Sequence, residues 1–357
     1  MNLSDIRNAI DELDGQIIRL LHRRFDLVQQ VGSIKRSGSS PIYVPEREAA
    51  LYARIHRLNA GKLPEKALKA IYREIISCSF ILEGNFKVAY LGPEGTWSHQ
   101  AAVQQFGSSI DMIPCAGFRE VFDEVERGNA SYGVVPMENS TYGSVAQVMD
   151  LFIESPLRIC AQMQLRIQNC LLANTAQDSI KTIYSHPQIL GQCRGWLERK
   201  YPAAKLIEMP SSTAAARIAA ERAGEGAAAI GSALAGRLHG LGTLEENIQD
   251  RPFNTTRFVI IGTQDTKPTG GDRTSLCFTV HHHAGSLADV LDRIRKHGIN
   301  LLGIESRPSR QADWEYVFYA DVEGHAGDEP LKSCLKDMAG VCSFLKVFGS
   351  FPEIASI

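Results

Sequence analysis

The chain has 357 residues, 44% hydrophobic and 22% charged, with a formal net charge of -2 at pH 7. At roughly 100 to 200 residues per domain this makes two or three domains. The balanced charge excludes a general nucleic-acid footprint or attraction to anionic membranes, so an anionic ligand must be met by local charge. The sequence runs from Met1-Asn2-Leu3 straight into a charged helical pattern. It has neither a signal-peptide apolar region nor a run of about 20 apolar residues, which predicts a cytoplasmic protein. Cys78, Cys115, Cys160, Cys170, Cys193, Cys277, Cys334 and Cys342 are scattered without a C-x-x-C pair. They predict reduced, mostly buried thiols rather than a disulfide frame or a zinc site. His281, His282 and His283 alternate between the faces of a strand, so they predict a surface strand end and no metal site.

From Leu3 to Ile34 the apolar positions Leu3, Ile6, Ile10, Leu13, Ile17, Leu20, Leu27, Val31 and Ile34 step by three and four, with one gap at Arg24. This heptad seam predicts a helix of about 50 Å, too long for its own segment to cover, and hence a partner chain. Ser4 and Asp5 offer N-terminal caps, and Ser37-Gly38-Ser39-Ser40-Pro41 ends the helix. Two more helices, near Pro45 to Leu58 and Pro64 to Leu82, complete an all-α segment. Lys35 follows Arg24 by eleven residues, which at about 100° per residue puts both cations within about 20° of one face. A lone seam charge is a register device, but two buried cations require an anionic partner, internal or bound.

Arg7, Arg24, Lys35, Arg47, Glu48, Ser79 and Glu83 give residues 1 to 85 a resemblance to the all-helical chorismate mutases. The resemblance implies that Arg7 reaches into a partner's site, that Arg24 and Arg47 hold the two carboxylates of chorismate, and that Lys35 meets its ether oxygen. It also implies that Glu48, Ser79 and Glu83 line the same site. Val44 departs from it, standing where enteric relatives carry aspartate, and Glu83 stands where they carry glutamine.

At Phe86 the pattern changes to a short apolar strand, Val88 to Leu91, and a strand-then-helix alternation recurs to about Ile261, which predicts an α/β segment. The turn Leu91-Gly-Pro-Glu-Gly-Thr-Trp-Ser98 joins a strand to a helix N-terminus, a geometry suited to an anion but common in plain connections. Together with Gly133-Val-Val-Pro-Met-Glu-Asn-Ser140, Ser185-His-Pro-Gln188, Gln192 and Asn254-Thr-Thr-Arg-Phe258, it resembles the prephenate dehydratases. The resemblance implies a two-lobed fold like that of periplasmic binding proteins. In it Thr256 is the catalytic hydroxyl, Glu138 and Asn139 line the cleft, and Ser185 and Gln192 contact prephenate. Trp97 and Tyr142 are mild departures.

After the polar stretch Gly262 to Gly271 the order of elements reads βαββαβ, a ferredoxin-like α+β unit. Ala284-Gly285-Ser286-Leu287 before a helix, Glu305-Ser306-Arg307-Pro308 after a strand, and Trp314-Glu-Tyr316 resemble the ACT domain of phenylalanine-regulated dehydratases. That resemblance implies an L-phenylalanine site across a dimer interface, although Ala284 and Ser286 depart from the usual Pro-Gly-Ala-Leu.

The expected division is residues 1–85, 86–268 and 269–357. The expected activity is conversion of chorismate to prephenate and then to phenylpyruvate, without cofactor, in a homodimer or tetramer inhibited by L-phenylalanine. The C-terminal segment is expected to be dispensable for dehydration. Two rivals stand beside this: a non-catalytic solute-binding module, and a dehydratase whose helical segment is only a dimerisation arm.

Overall fold

The computed structural model describes residues 2–38, 41–61, 63–308 and 316–353. Ser39, Ser40, Trp314 and Glu315 lie outside them. The chain forms two compact units, Met1–Lys87 with Phe106–Asp111, and Val88–Gln105 with Met112–Ile357.

The first unit holds α1 (Leu3–Ser37), α2 (Pro45–Leu58) and α3 (Glu65–Glu83). Asn2 rather than Ser4 caps α1. Its Oδ1 accepts from the Asp5 N–H at 2.9 Å and the Asp5 carboxylate accepts from the Asn2 N–H at 3.0 Å, a reciprocal capping box. Gly32 is where α1 and α3 touch: a Cβ there would lie 2.7 Å from Glu83 Cα. Only glycine permits that approach. Within this single chain the seam of α1 is exposed, from Leu3 at 64% through Leu13 at 56% to Ile34 at 70%. Tyr43, Phe80, Phe86 and Phe106 form the aromatic centre of the unit, with Phe80 and Phe86 stacked at 4.5 Å.

The second unit begins with β1 (Lys87–Leu91), α4 (Trp97–Phe106), β2 (Asp111–Cys115), α5 (Phe118–Glu126), β3 (Tyr132–Asn139), β4 (Gly143–Ser144), α6 (Ala146–Glu154) and β5 (Arg158–Arg166). A second lobe follows: β6 (Cys170–Ala173), β7 (Thr182–Ser185), α7 (Pro187–Gln192), α8 (Arg194–Lys200), β8 (Lys205–Glu208), α9 (Ser212–Glu221), β9 (Ala227–Gly231), α10 (Ala233–Leu238) and β10 (Gly242–Glu245). The chain then returns to the first lobe as β11 (Thr255–Gly262). The first sheet runs β2-β1-β3-β11-β5 with β4 beside β3, and the second runs β10-β6-β9-β7-β8. Two crossings join the lobes. They bond to each other, Ile167 N–H to Asn254 O at 2.8 Å and Ile248 N–H to Asn169 O at 3.0 Å.

The C-terminal part is the expected βαββαβ unit: β12 (Asp272–Val280), α11 (Ser286–Lys296), β13 (Leu301–Pro308), β14 (Tyr316–Glu323), α12 (Leu331–Ala339) and β15 (Cys342–Pro352). Its antiparallel sheet runs β13-β14-β12-β15. One face buries Leu276, Phe278, Val290 and Met338 under its own helices. The other face joins the core of the first lobe, where Cys277, Tyr319, Phe348 and Phe351 pack with Val121, Phe152, Leu157 and Ile159. The Lys346 ammonium also donates to the carbonyls of Ile153 and Ser155, each at 2.8 Å. This corrects the expectation that the segment is dispensable: removing it would strip one wall from a shared core, a loss of several buried apolar side chains at about 1.5–3 kcal/mol each.

The buried Cys115, Cys193, Cys277 and Cys334 are free thiols whose pKa values burial pushes up to between about 11 and about 12. His281, His282 and His283 are exposed just past the end of β12. Among the described residues no cluster of three or more His, Cys, Asp or Glu could hold a metal ion. No described helix is long and apolar enough to cross a membrane.

Candidate active sites

The three helices enclose a groove of about 1080 Å³ lined by Arg24, Lys35, Arg47, Glu48, Ser79 and Glu83 among apolar side chains. Arg24 Nη1 donates to Ser79 Oγ at 2.6 Å. Burial pulls its guanidinium below the usual arginine range, opposed by Tyr72 and Glu83, and no carboxylate among the described residues lies within ion-pair distance. It is a desolvated cation facing a groove, a ready partner for an anion. Lys35 is bound twice, to Glu83 Oε2 at 2.6 Å and to the Ile42 carbonyl at 2.8 Å. Arg36 donates to the Glu83 carbonyl, so the end of α3 is held by two successive cations of α1.

Glu48 is occupied by Arg73, whose guanidinium donates to Glu48 Oε1 and packs on the Tyr52 ring at 5.2 Å. Sequence reasoning missed Arg73. The signal was present: it lies seven residues before Phe80 on the buried face of α3, a seam cation like Arg24. Arg47 is exposed at the groove rim and unlinked to a carboxylate among the described residues. Arg7 is not in the groove. It lies seventeen residues before Arg24 on one continuous helix, about 25 Å away along its axis. Val44 is the N-cap of α2 and supplies no side-chain cap.

In the second unit, β3 and β11 pair antiparallel with Asn139 opposite Thr256 and Glu138 opposite Arg257. Asn139 Nδ2 donates to Thr256 Oγ1 and to Asn254 Oδ1, both at 2.8 Å. Asn139 Oδ1 accepts from the N–H groups of Thr141 and Tyr142 at 2.9 and 3.1 Å, which fixes the amide's orientation. Thr256 therefore spends a lone pair on Asn139, and its O–H is left to donate elsewhere. Thr256 and Asn254 are 7% and 2% exposed, at the crossing between lobes. Neighbours in a strand point to opposite faces, so Glu138 does not join Thr256: with Arg257 it occupies the reverse face of the pair. That corrects the expectation that Glu138 lines the cleft beside Asn139.

Ser185 is fully buried at the end of β7 and donates to the Ile230 carbonyl at 2.7 Å. Gln192 accepts from Asn169 Nδ2 at 2.9 Å, tying α7 to the first crossing. The Gly92 to Ser98 turn meets the second lobe at Gly95. A Cβ at Gly95 (φ +86°) would lie 2.9 Å from Thr213 Oγ1, and Ser232 Oγ donates to the Gly95 carbonyl at 2.9 Å. His99 Nδ1 accepts from the Gly95 N–H at 3.0 Å, and its ring stacks on Tyr90.

In the C-terminal sheet, Gly285 (φ +89°) caps α11, and Ser286 turns its hydroxyl back to the carbonyls of His281 and His283. Leu287 is the second residue of α11, and Glu305, Ser306, Arg307 and Pro308 end the edge strand β13. Arg307 pairs with Glu305 at 3.6 Å.

Family comparisons match three successive stretches of the chain. The chorismate mutase type II family matches residues 6–84, the prephenate dehydratase family 88–266 and the ACT domain family 274–340. A bifunctional chorismate mutase/prephenate dehydratase from Aquifex aeolicus is 44% identical over 356 residues, covering 98% of both chains. The chain belongs to that family. It unites a mutase that turns chorismate into prephenate with a dehydratase that turns prephenate into phenylpyruvate, on two separate segments. Among solved structures, the prephenate dehydratase of Arthrobacter aurescens in complex with L-Phe is 30% identical, with a TM-score of 0.68 over 75% of this chain and 90% of its own. GqqA, described as a novel type of quorum quenching acylase, is 27% identical, with a TM-score of 0.69 over 75% of this chain and 98% of its own. Neither of those matches spans the whole chain, whereas the Aquifex relative does. Family membership disposes of the non-catalytic binding module.

Proposed function

We propose that mutase chemistry is carried by Arg24, Lys35, Arg47, Ser79 and Glu83 of residues 1–85, and dehydratase chemistry by Thr256 with Asn139 within residues 86–268. Residues 269–357 act as the regulatory domain. The carrying observation is the bond from Asn139 Nδ2 to Thr256 Oγ1, which leaves the Thr256 hydroxyl proton to be donated elsewhere. Prephenate loses its ring carboxylate as CO2 while its ring C–O bond breaks and the aromatic ring forms. The departing hydroxide takes a proton and leaves as water. Thr256 donates a hydrogen bond to that oxygen, the proton being replaced from solvent, and the pinned amide holds the geometry. Ser185 and Gln192 already bond within the protein, so their support for the substrate is through the shape of the second lobe.

The mutase rearrangement needs no nucleophile. Arg24 and Arg47 hold the carboxylates of chorismate, and Lys35 stabilises charge building on the ether oxygen. Glu48, fixed by Arg73, supports the groove wall. The exposed seam of α1 supports a homodimer in which a second copy covers Leu3 to Ile34 and Arg7 enters the partner's groove. L-phenylalanine regulation through Ala284 to Leu287 and Glu305 to Pro308 is supported by the L-Phe complex of the Arthrobacter relative and by the start of α11, which has no side-chain cap among the described residues. We place the enzyme in the cytoplasm.

Assaying each step separately tests the two-site assignment. Thr256→Ala lowers dehydratase kcat by at least about 100-fold and leaves the mutase unchanged, and Arg24→Ala does the reverse. Loss of both activities in either folded variant would sink it.

A further inference from the structure

On the reverse face of the catalytic strand pair, the regulatory sheet holds the residue next to Thr256. Arg257 Nη2 lies 2.9 Å from Asp321 Oδ2 of β14 and 3.5 Å from Glu138 Oε2 of β3. The side chains of Arg257 and Asp321 are 13% and 14% exposed, while that of Glu138 is 51% exposed, so the desolvated and stronger contact is the one to the regulatory sheet. Asp321 is itself fixed, because Arg273 Nη1 pairs with it at 3.5 Å and Ser275 donates to its other oxygen. Arg257 is not: its Nε and Nη1 are buried without a hydrogen-bond partner among the described residues, and all its ion pairing runs through one nitrogen. The β3–β11 register slips at this point, between Arg257 and Phe258.

A second strut lies beside the first. Ser144 of β4, paired with Glu138 across β3, donates to Glu305 Oε2 of β13. Two strands of the regulatory sheet thus hold the back of β4, β3 and β11, whose front carries Asn139 and Thr256. We infer that Arg257 is a positioning residue for dehydration, and that Asp321 makes the Thr256 hydroxyl answer to the state of the regulatory sheet. This rests on the reading of Thr256 given above. An effector shifts an activity only through contacts that differ between two states, and the Arg257–Asp321 pair, attached at one nitrogen, is a contact that a small movement of β14 makes or breaks. Moving Arg257 along β11 displaces Thr256 by the same backbone, and proton donation tolerates little displacement.

The test uses the full chain carrying Asp321→Asn, with Arg257→Lys as a second variant that keeps the cation but reaches only one carboxylate. Dehydratase kcat and KM for prephenate, the L-phenylalanine concentration giving half inhibition, and mutase kcat are measured on the same samples. Expected in either folded variant are a fall of about tenfold in dehydratase kcat, a prephenate KM within about twofold, and a shift of at least about fivefold in half-inhibition. An unchanged mutase rate fixes the amount of active chain, and a wild-type thermal melt certifies the fold of the second unit. Arg273→Gln, which leaves Ser275 and Arg257 on Asp321, shows a smaller loss than Asp321→Asn. Wild-type kcat, a KM rise without a kcat loss, an unmoved L-phenylalanine response, or the full effect in Arg273→Gln would overturn the inference. Thr256→Ala in the same assays separates the two readings: full turnover there removes the role of Thr256 itself, whereas an inactive Thr256→Ala beside a wild-type Asp321→Asn removes only the role of Asp321.

Discussion

The Asn139 amide decides what Thr256 can do, because an amide nitrogen donates and a threonine oxygen bound to it is left with its proton to give. In the mutase groove the same arithmetic turns on Glu83. An ionised carboxylate only accepts, and here it accepts from Lys35 at 2.6 Å, so it does not donate to an ether oxygen, and it offsets the charge of Lys35, whose third N–H is left to serve that oxygen. Glu83→Gln supplies a permanent donor and releases Lys35 from its counter-charge. Mutase kcat at pH 7.5 is therefore expected to rise by up to about tenfold, the equivalent of one charge-assisted hydrogen bond, with dehydratase kcat unmoved. An unchanged or lower mutase kcat in steady-state assays would make Glu83 a structural counter-ion. Arg24 was legible in the sequence because it breaks the apolar seam of α1, and Lys35 because it shares that face. Their pairing was not, since Lys35 meets Glu83 across 48 residues and Glu48 meets Arg73 across 25.

At the scale of elements, periodicity located the helices and strands because each has one buried face. The seam from Leu3 to Ile34 located α1, which runs Leu3–Ser37, and the βαββαβ order was readable from alternating apolar runs. What could not be read was which strands meet, and so which face each residue of Glu138-Asn139 takes; that follows from pairing β3 with β11, over a hundred residues apart. The turn before α4 carries a further prediction. His99 serves as a neutral acceptor for the Gly95 N–H, and burial holds its pKa below the ordinary 6.5, against the pull of Glu94. The unfolded chain thus binds the proton more readily than the folded one. The stabilisation is complete above pH 6.5 and is lost as pH falls below it. Melting temperature between about pH 7.5 and 5.5 should fall more steeply in wild type than in His99→Gln. Identical slopes would show that protonation of His99 is not linked to folding.

For the whole molecule, the sequence divided the chain by structural class but did not disclose that the third segment completes the core of the second. Nothing local to Phe348 and Phe351 tells that β15 lies along β5, so close that a Cβ at Gly349 would fall 2.2 Å from the Ile159 carbonyl oxygen. Regulation is therefore built into the dehydratase wall, while the mutase keeps its own groove in a unit of its own. The two chemistries should therefore be independent, and mixing two variants that each lack one of them checks this. Arg24→Ala and Thr256→Ala, each unable to carry chorismate to phenylpyruvate alone, are combined in equal amounts with chorismate, and both products are followed by chromatography. Prephenate formed by Thr256→Ala should appear first and then be converted by Arg24→Ala, so that phenylpyruvate accumulates after a lag. Accumulation of prephenate with no phenylpyruvate, or no consumption of chorismate, would contradict it.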